Sequence, residues 1–412
     1  MITELNNISQ VLTLRKAQAK DGRRLLPDDL DIINNGKIVF KQDKILFVGS
    51  AHDVHSFKID RSIDLTGHCV APAYVDAHTH LVFGGDRSSE YVQKLNGETY
   101  QNIAASGGGI VKTFEMTNAT SEEELFLLAC TRIDKIQALG IKTLEIKSGY
   151  SGTLEGEMLL SKIIQRLKQK YHPTLRIYNT FMAAHAVPKH FNSSKIFIQQ
   201  VVLPSLMQLS QLKIIDAVDI FHEQNYFDQH DLELLFALAQ KYNIPTKLHA
   251  DEFNDNSGAA LAVQHRCLSA DHLLCISDNS IKLMAQSNVV ANLLPGTAFF
   301  LGKAQAPARK MLDAGVKVAI ASDYNPGSCH FYNLPLIAAM AAPQYRMNIA
   351  ELWASITLNA ANALGCYDRG FISDGVLPLI NIFKCEKIEQ ISYAWGENLL
   401  ATSSLEHFQL KA

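Results

Sequence analysis

Hydrophobic and polar positions follow three rhythms along the 412 residues. Up to about residue 70 the apolar runs are short (Gln10-Thr13, Gly36-Phe40, Lys44-Val48 and Ile63-Leu65), and Asn34-Asn35-Gly36 and Gly49-Ser50 interrupt them. That spacing predicts strands joined by turns. From about 71 to 364, apolar runs alternate with helix-length amphipathic stretches. Eight runs are strand candidates: 71–80, 141–148, 176–186, 216–223, 245–251, 268–274, 289–295 and 317–323. After about 365, strand-like runs return at Leu379-Phe383, Ile391-Trp395 and Asn398-Thr402.

Helices between the runs carry their own signals. Ser121 with Glu124 makes a capping-box pattern, and Leu125, Leu128, Ala129, Ile133 and Ile136 form a stripe of helical period. Gly140 sits where a helix-terminating glycine belongs. Leu232-Tyr242 and Glu351-Leu364 show the same period, the second opened by Asn348 with Glu351 three residues on. Leu336-Ala342 reads as a buried helix face. Eight strand–helix units in a row predict an α/β protein with a (β/α)8 TIM barrel. The expected organisation is a barrel over 71–364 and a small β-sandwich domain formed by both termini, 1–70 with 365–412.

Composition narrows the class. Hydrophobic residues make up 47% and charged residues 19%, which suits a well-filled globule rather than a disordered chain. A formal net charge of −3 without a long basic run argues against nucleic acid or an anionic membrane as partner. Seven cysteines (69, 130, 267, 275, 329, 366 and 385) lack any C-x-x-C pair, as expected for thiols in a reducing compartment. Met1 to Lys20 has no apolar core of a signal peptide, and no run reaches the ~18 apolar residues of a membrane span. A cytoplasmic location is expected.

The chemistry gathers at strand ends. In Asp76-Ala77-His78-Thr79-His80, alternation turns both imidazoles to one face where an apolar run stops. The fifth run ends in Lys247-Leu248-His249-Ala250-Asp251-Glu252, the sixth in Ser269-Ala270-Asp271-His272, and the eighth in Ala321-Ser322-Asp323-Tyr324-Asn325. Singly, His249 could be a hydrogen-bonded core histidine and Asp323 a helix cap. Together, three imidazoles and a carboxylate on one barrel rim suit Zn2+ or iron, with a position left for water. The fourth run, Asp216 to Glu223, holds no lysine to bridge two ions, so a single ion is expected. Lys147 reads as a charge at the pocket edge or part of a structural pair, and His222-Glu223 as lining or structural. The glycines of Ser106-Gly107-Gly108-Gly109 match no phosphate-loop pattern and read as close approach to the pocket or a hinge.

These segments resemble the metal-dependent amidohydrolase superfamily and, within it, the imidazolonepropionase family. The matching motifs run through the whole barrel: the stretch from Val75 to Arg87, Gly107-Gly108-Gly109-Ile110, Thr143 to Tyr150, Ala183-Ala184-His185-Ala186, His249-Ala250-Asp251-Glu252-Phe253, Ser269 to Leu273, Leu293 to Leu301, and Ser322 to Ser328. Pro72-Ala73 and Asp323-Tyr324 depart mildly from the family pattern, and Gly375 to Ile380 lacks its usual Ala-Asp pair.

The resemblance implies His78, His80, His249 and Asp323 as ligands of one Zn2+ or Fe2+/Fe3+ per subunit. It implies a small substrate with a carboxylate, 4-imidazolone-5-propanoate, opened by hydrolysis of a cyclic amide. Arg87, Tyr100, Tyr150, His185, Glu252, Asn325, Gly327 and Ser328 are expected around that substrate. Glu252, His272 and Asp323 are the expected catalytic groups: Glu252 to move a proton to the leaving nitrogen, His272 to meet the oxyanion, Asp323 to take a proton from water. Asp271 could orient His272 or serve structurally. A homodimer is expected from the resemblance. An aminohydrolase acting on a purine- or pyrimidine-like ring, or a scaffold that has lost catalysis, are the competing expectations.

Overall fold

The computed structural model describes residues 1–98, 102 and 107–401. Eight parallel strands pair in chain order: β1 (Tyr74–Asp76), β2 (Ile141–Lys147), β3 (Arg176–Ala184), β4 (Ala217–His222), β5 (Leu248–Ala250), β6 (Ser269–His272), β7 (Val290–Leu293) and β8 (Val318–Ile320). Each lies within its predicted run. β8 meets β1 beyond their ends, where the Asp323 amide donates to the His78 carbonyl (3.0 Å) and the His80 amide to the Tyr324 carbonyl (2.9 Å). Lower down, the Asp76 carboxylate accepts from the Ser322 amide (3.0 Å) and hydroxyl (2.5 Å). The barrel is thus sealed at the carboxyl rim, where barrel chemistry resides.

Beside the barrel lies a six-stranded mixed sheet, ordered Ile380–Phe383, Cys69–Pro72, Ile2–Leu12, Ile32–Lys41, Lys44–Ser50, with Arg61–Asp64 also paired to Ile2–Leu12. Its apolar face collects Leu5, Ile8, Val11, Ile38, Ile45, Ile380 and Ile382 into a separate core. Both chain ends contribute because Ile380–Phe383 runs antiparallel to Cys69–Pro72. Tyr74, Trp353 and Trp395 cluster where barrel and sheet meet, with ring centroids 5.5–6.3 Å apart. Such pairs add about 0.5–1.5 kcal/mol each beyond burial.

Three elements differ from expectation. Ile391-Trp395 is not a strand. Ile388–Tyr393 is helical, and the buried Ile388, Ile391 and Trp395 recur at helical spacing against the aromatic cluster. The helix opened by Asn348 has the expected reciprocal cap with Glu351 but stops at Ser355 and restarts at Leu358–Asn362. The Ile356 carbonyl accepts the Val75 amide of the barrel (2.9 Å) instead of continuing the helix. Helix Leu334–Tyr345 buries Ile337, Ala338, Ala341 and Ala342 but leaves Leu336 and Met340 exposed. Among the described residues no helix is long and apolar enough to cross a membrane.

Gly140 links the two units. It ends the helix Glu122–Gln137 with φ +91°, and its carbonyl accepts the Asn381 side-chain amide (2.9 Å). An added Cβ would lie 2.5 Å from that amide nitrogen. Gly140→Ala should therefore destabilise the protein by about 1–2 kcal/mol, the cost of a left-handed non-glycine residue. A urea midpoint equal to the parent's would contradict this.

Candidate metal centre and active site

His78 and His80 follow β1 and share its inward face, as alternation requires. The seal between β1 and β8 brings Asp323 to them. Its Oδ1 lies 3.4 Å from His78 Nε2 and 3.8 Å from His80 Nε2, and the two Nε2 atoms are 3.2 Å apart. Asp323 has φ +51°, a left-handed turn immediately after β8. The Thr297 hydroxyl donates to its other oxygen (2.5 Å). His249 on β5 completes the group: one ligand atom each from His78, His80 and His249 falls within 4.8 Å of the others. The rings of His249 and His78 are 4.5 Å apart.

A divalent ion fits this donor set. Neither ring nitrogen of the buried His249 has an aligned hydrogen-bond partner among the described residues: Asp219 faces Nδ1 as an ion contact, and Nε2 is left bare, an arrangement that costs free energy unless something ligates it. Two of the three imidazoles face a carboxylate at Nδ1, whereas His80 Nδ1 has no hydrogen-bond partner among the described residues. His78 Nδ1 lies 2.5 Å from the Asp271 carboxylate, and His249 Nδ1 lies 3.0 Å from that of Asp219. Burial, reinforced by Lys147 and the neighbouring imidazoles, pushes His78 well below the usual histidine range. His80 and His272 are lowered in the same way. They are thereby kept neutral, the form that ligates. Burial pushes Asp323 up to about 6.

Two further groups face the cluster. His272 ends β6 with φ +79°, and it shares with His78 and Asp323 a second set of converging ligand atoms. Its Nε2 is 3.7 Å from Glu252 Oε2. Glu252 follows Asp251, whose φ of +52° turns the chain and whose carboxylate caps the Gly258 and Ala259 amides (2.9 and 3.0 Å). Burial, then the charges of Asp323 and Glu223, hold the Glu252 carboxyl well above its ordinary value.

His80, His249, Glu252, His272 and Asp323 line one cleft with Tyr150, His185, Asn325 and Ser328. The rings of His80, His185 and Tyr150 cluster with centroids 4.8, 5.3 and 5.6 Å apart and planes inclined by 27–41°, giving an aromatic wall. Asn325 shapes the next loop, its side-chain oxygen accepting the Gly327 and Ser328 amides (2.8 and 2.7 Å). Arg87 is buried at one side, doubly bonded to Glu90 (3.0 and 2.7 Å), and is not among the residues lining the cleft. It packs on Gly327, where a Cβ would come 1.9 Å from Nη1. Tyr100 lies outside the described residues.

Some residues take places the sequence did not indicate. Phe221, Tyr226, Phe253, Leu301 and Ile110 form the remaining wall. Their apolar character looks like core in a linear reading. Asp271 supports His78 rather than His272, since it points into the barrel while His272 turns away in a left-handed conformation. Lys147 is fully buried in a structural pair with Asp219 (2.6 Å), not at the pocket edge. His222 and Glu223 bind loop backbone: the Phe227 carbonyl and the Phe253 amide, respectively.

Residues 216–402 match the amidohydrolase family. Over 400 residues the chain is 38% identical to an imidazolonepropionase of Porphyromonas gingivalis, covering 96% of this chain and 94% of that protein. Over 366 residues it is 40% identical to the imidazolonepropionase of Bacillus cereus, covering 88% and 85%. Among solved structures, an adenosine deaminase from Xanthomonas campestris with bound zinc superposes with a TM-score of 0.65 at 16% identity, covering 93% of this chain and 84% of that one. Atrazine chlorohydrolase from Arthrobacter aurescens TC1 complexed with zinc gives 0.63 at 15% identity, covering 94% and 88%. At such identities the structural likeness is one of fold.

The buried imidazoles set a pH dependence. His185 is lowered to about 3 by burial, then by His249, and His78, His80 and His272 are lowered too. Folding therefore excludes protons that the unfolded chain binds below about 6.5. Chelator-treated protein should lose stability as pH falls from about 6.5 toward 3, with each histidine kept neutral contributing up to roughly 1.4 kcal/mol per pH unit and the raised carboxyls of Asp76, Asp323 and Glu252, which take up protons in the folded state, offsetting part of that loss. Urea unfolding at pH 7 and pH 5 measures this, and equal midpoints would refute it.

Proposed function

Because the chain belongs to the imidazolonepropionase family, hydrolases of histidine degradation, we propose how its residues open 4-imidazolone-5-propanoate. Water adds across the cyclic amide C–N bond and N-formimidoyl-L-glutamate leaves. What carries the proposal is the convergence of His78, His80, His249 and Asp323 opposite His272 and Glu252 at one rim. His78, His80, His249 and Asp323 would hold one ion per subunit, zinc or iron. When bound, such an ion supplies Lewis acidity, bringing the pKa of water near 7 and polarising a carbonyl.

The side chains do the rest. Asp323 accepts a proton from the attacking water while Thr297 fixes its second oxygen. His272 donates to the oxygen that gains charge as the carbonyl carbon becomes tetrahedral, a contribution of about 10²–10³ in rate for one such donor. Glu252, whose carboxyl is raised by burial and by Asp323 and Glu223, hands its proton to the leaving nitrogen. The aromatic wall of His80, His185 and Tyr150 suits a planar ring. Arg87, Tyr100 and Tyr150, with the loop of Asn325, Gly327 and Ser328, are assigned to the carboxylate tail. Arg87 would offer it Nη1, on the Gly327 side. The cytoplasm is the assigned compartment and a homodimer the assigned assembly.

Metal analysis joined to an assay on imidazolone propanoate tests the whole proposal. Deamination of a heterocycle without imidazolone hydrolysis would end it. Asp323→Asn should abolish turnover and leave the circular dichroism of the fold unchanged; near-parental kcat would remove Asp323 from both of its roles. Arg87→Ala should raise KM with a smaller change in kcat, because the tail lies away from the bond broken. An unchanged KM would take Arg87 out of substrate binding.

A further inference from the structure

Behind the three imidazoles, the barrel interior holds a cluster of fully buried charged side chains: Glu145 and Lys147 on β2, Asp219 on β4, Lys247 preceding β5, and Asp271 on β6. Lys147 Nζ lies 2.6 Å from Asp219 Oδ2, 3.0 Å from Glu145 Oε2 and 3.7 Å from Asp271 Oδ2. The same Asp219 Oδ2 is 3.0 Å from His249 Nδ1, and the same Asp271 Oδ2 is 2.5 Å from His78 Nδ1. Lys247 holds Glu145 (2.7 Å), donates to the Ala77 carbonyl (3.0 Å) and lies 3.8 Å from the same Asp271 Oδ2, but it has no contact with Asp219 among the described ion pairs.

We propose that Lys147 is a positioning residue for the metal centre: one ammonium on β2 holds the Asp219 and Asp271 carboxylates against the Nδ1 atoms of His249 and His78. A carboxylate at Nδ1 keeps the proton on that nitrogen and leaves the Nε2 lone pair for an ion. His78 and His249 come from β1 and β5, which do not pair with each other. Lys147 is the group that touches the acceptors of both. Without it, Asp219 would lose its ion pair and Asp271 would keep only Lys247 at 3.8 Å, so the two carboxylates would no longer be tied to each other and each could swing from its imidazole. Charge neutralisation alone would not require the ammonium to meet the very oxygens that face the ligands.

The proposal rests on the metal-centre reading above. Its measure is ion affinity rather than hydrolysis, so an inactive enzyme on imidazolone propanoate would overturn the proposed function and leave this test standing. Zn2+ affinity is measured by competition with a chromophoric chelator, and the visible spectrum is recorded on Co2+-loaded protein, for Lys147→Met, Asp219→Asn and the double variant. Lys147→Met should bind Zn2+ about 10–100-fold more weakly and shift the Co2+ bands, as removal of supporting groups does. The double variant should be little weaker than the weaker single one, because both break one chain of contacts. Parental affinity and spectrum in Lys147→Met, or additive losses in the double variant, would overturn the proposal. Should Lys147→Met fail to fold, Asp219→Asn decides alone, since it keeps the side-chain shape while dropping the ion pair: weaker binding supports the proposal and parental binding overturns it.

Discussion

Everything at the rim depends on how the first and last barrel strands meet. Two backbone hydrogen bonds, from Asp323 to His78 and from His80 to Tyr324, set the register of β8 against β1. Because side chains alternate along a strand, a slip of one residue would turn both histidines away from the centre. Asp76 guards that register from within, its carboxylate taking both the amide and the hydroxyl of Ser322. The left-handed turn at Asp323 then aims its carboxylate back across the seal. Fold closure and ligand geometry are one event.

The interior under this seal is unusually polar for a barrel core. Removing one partner of a buried ion pair costs about 3–5 kcal/mol, so the two ammonium groups and three carboxylates there stand or fall as a set. The terminal sheet supports the opposite end. Tyr74, at the start of β1, packs on Trp353 and Trp395, and its hydroxyl accepts from the Trp395 indole (3.1 Å). β1 is therefore held at both ends, by aromatic packing below and by β8 above. A site assembled on such a strand needs little reorganisation to receive a ligand.

The opposed environments of Glu252 and the imidazoles come from burial acting on opposite charge types. Desolvation disfavours whichever form is charged, so it raises the carboxyl and lowers the histidines. The outcome is a carboxyl that resists losing its proton facing imidazoles that resist gaining one, in a single cleft.

Strand positions, the barrel and the residues at strand ends were legible in the sequence, because each rests on local periodicity or on a polar residue ending an apolar run. His78-x-His80, His249, His272 and Asp323 announce themselves in that way. The helix at Ile388–Tyr393 did not, since a short apolar run has no decisive period and its packing partners lie far off in sequence. The break after Ser355 was hidden because the group that diverts the Ile356 carbonyl is Val75, on the opposite side of the chain map. Which carboxylate supports which histidine, that Lys147 sits in the interior, and that Arg87 is paired to Glu90 were decided only by tertiary structure. Those facts depend on distances between strands that never adjoin in sequence, and alternation along a single strand carries no information about them.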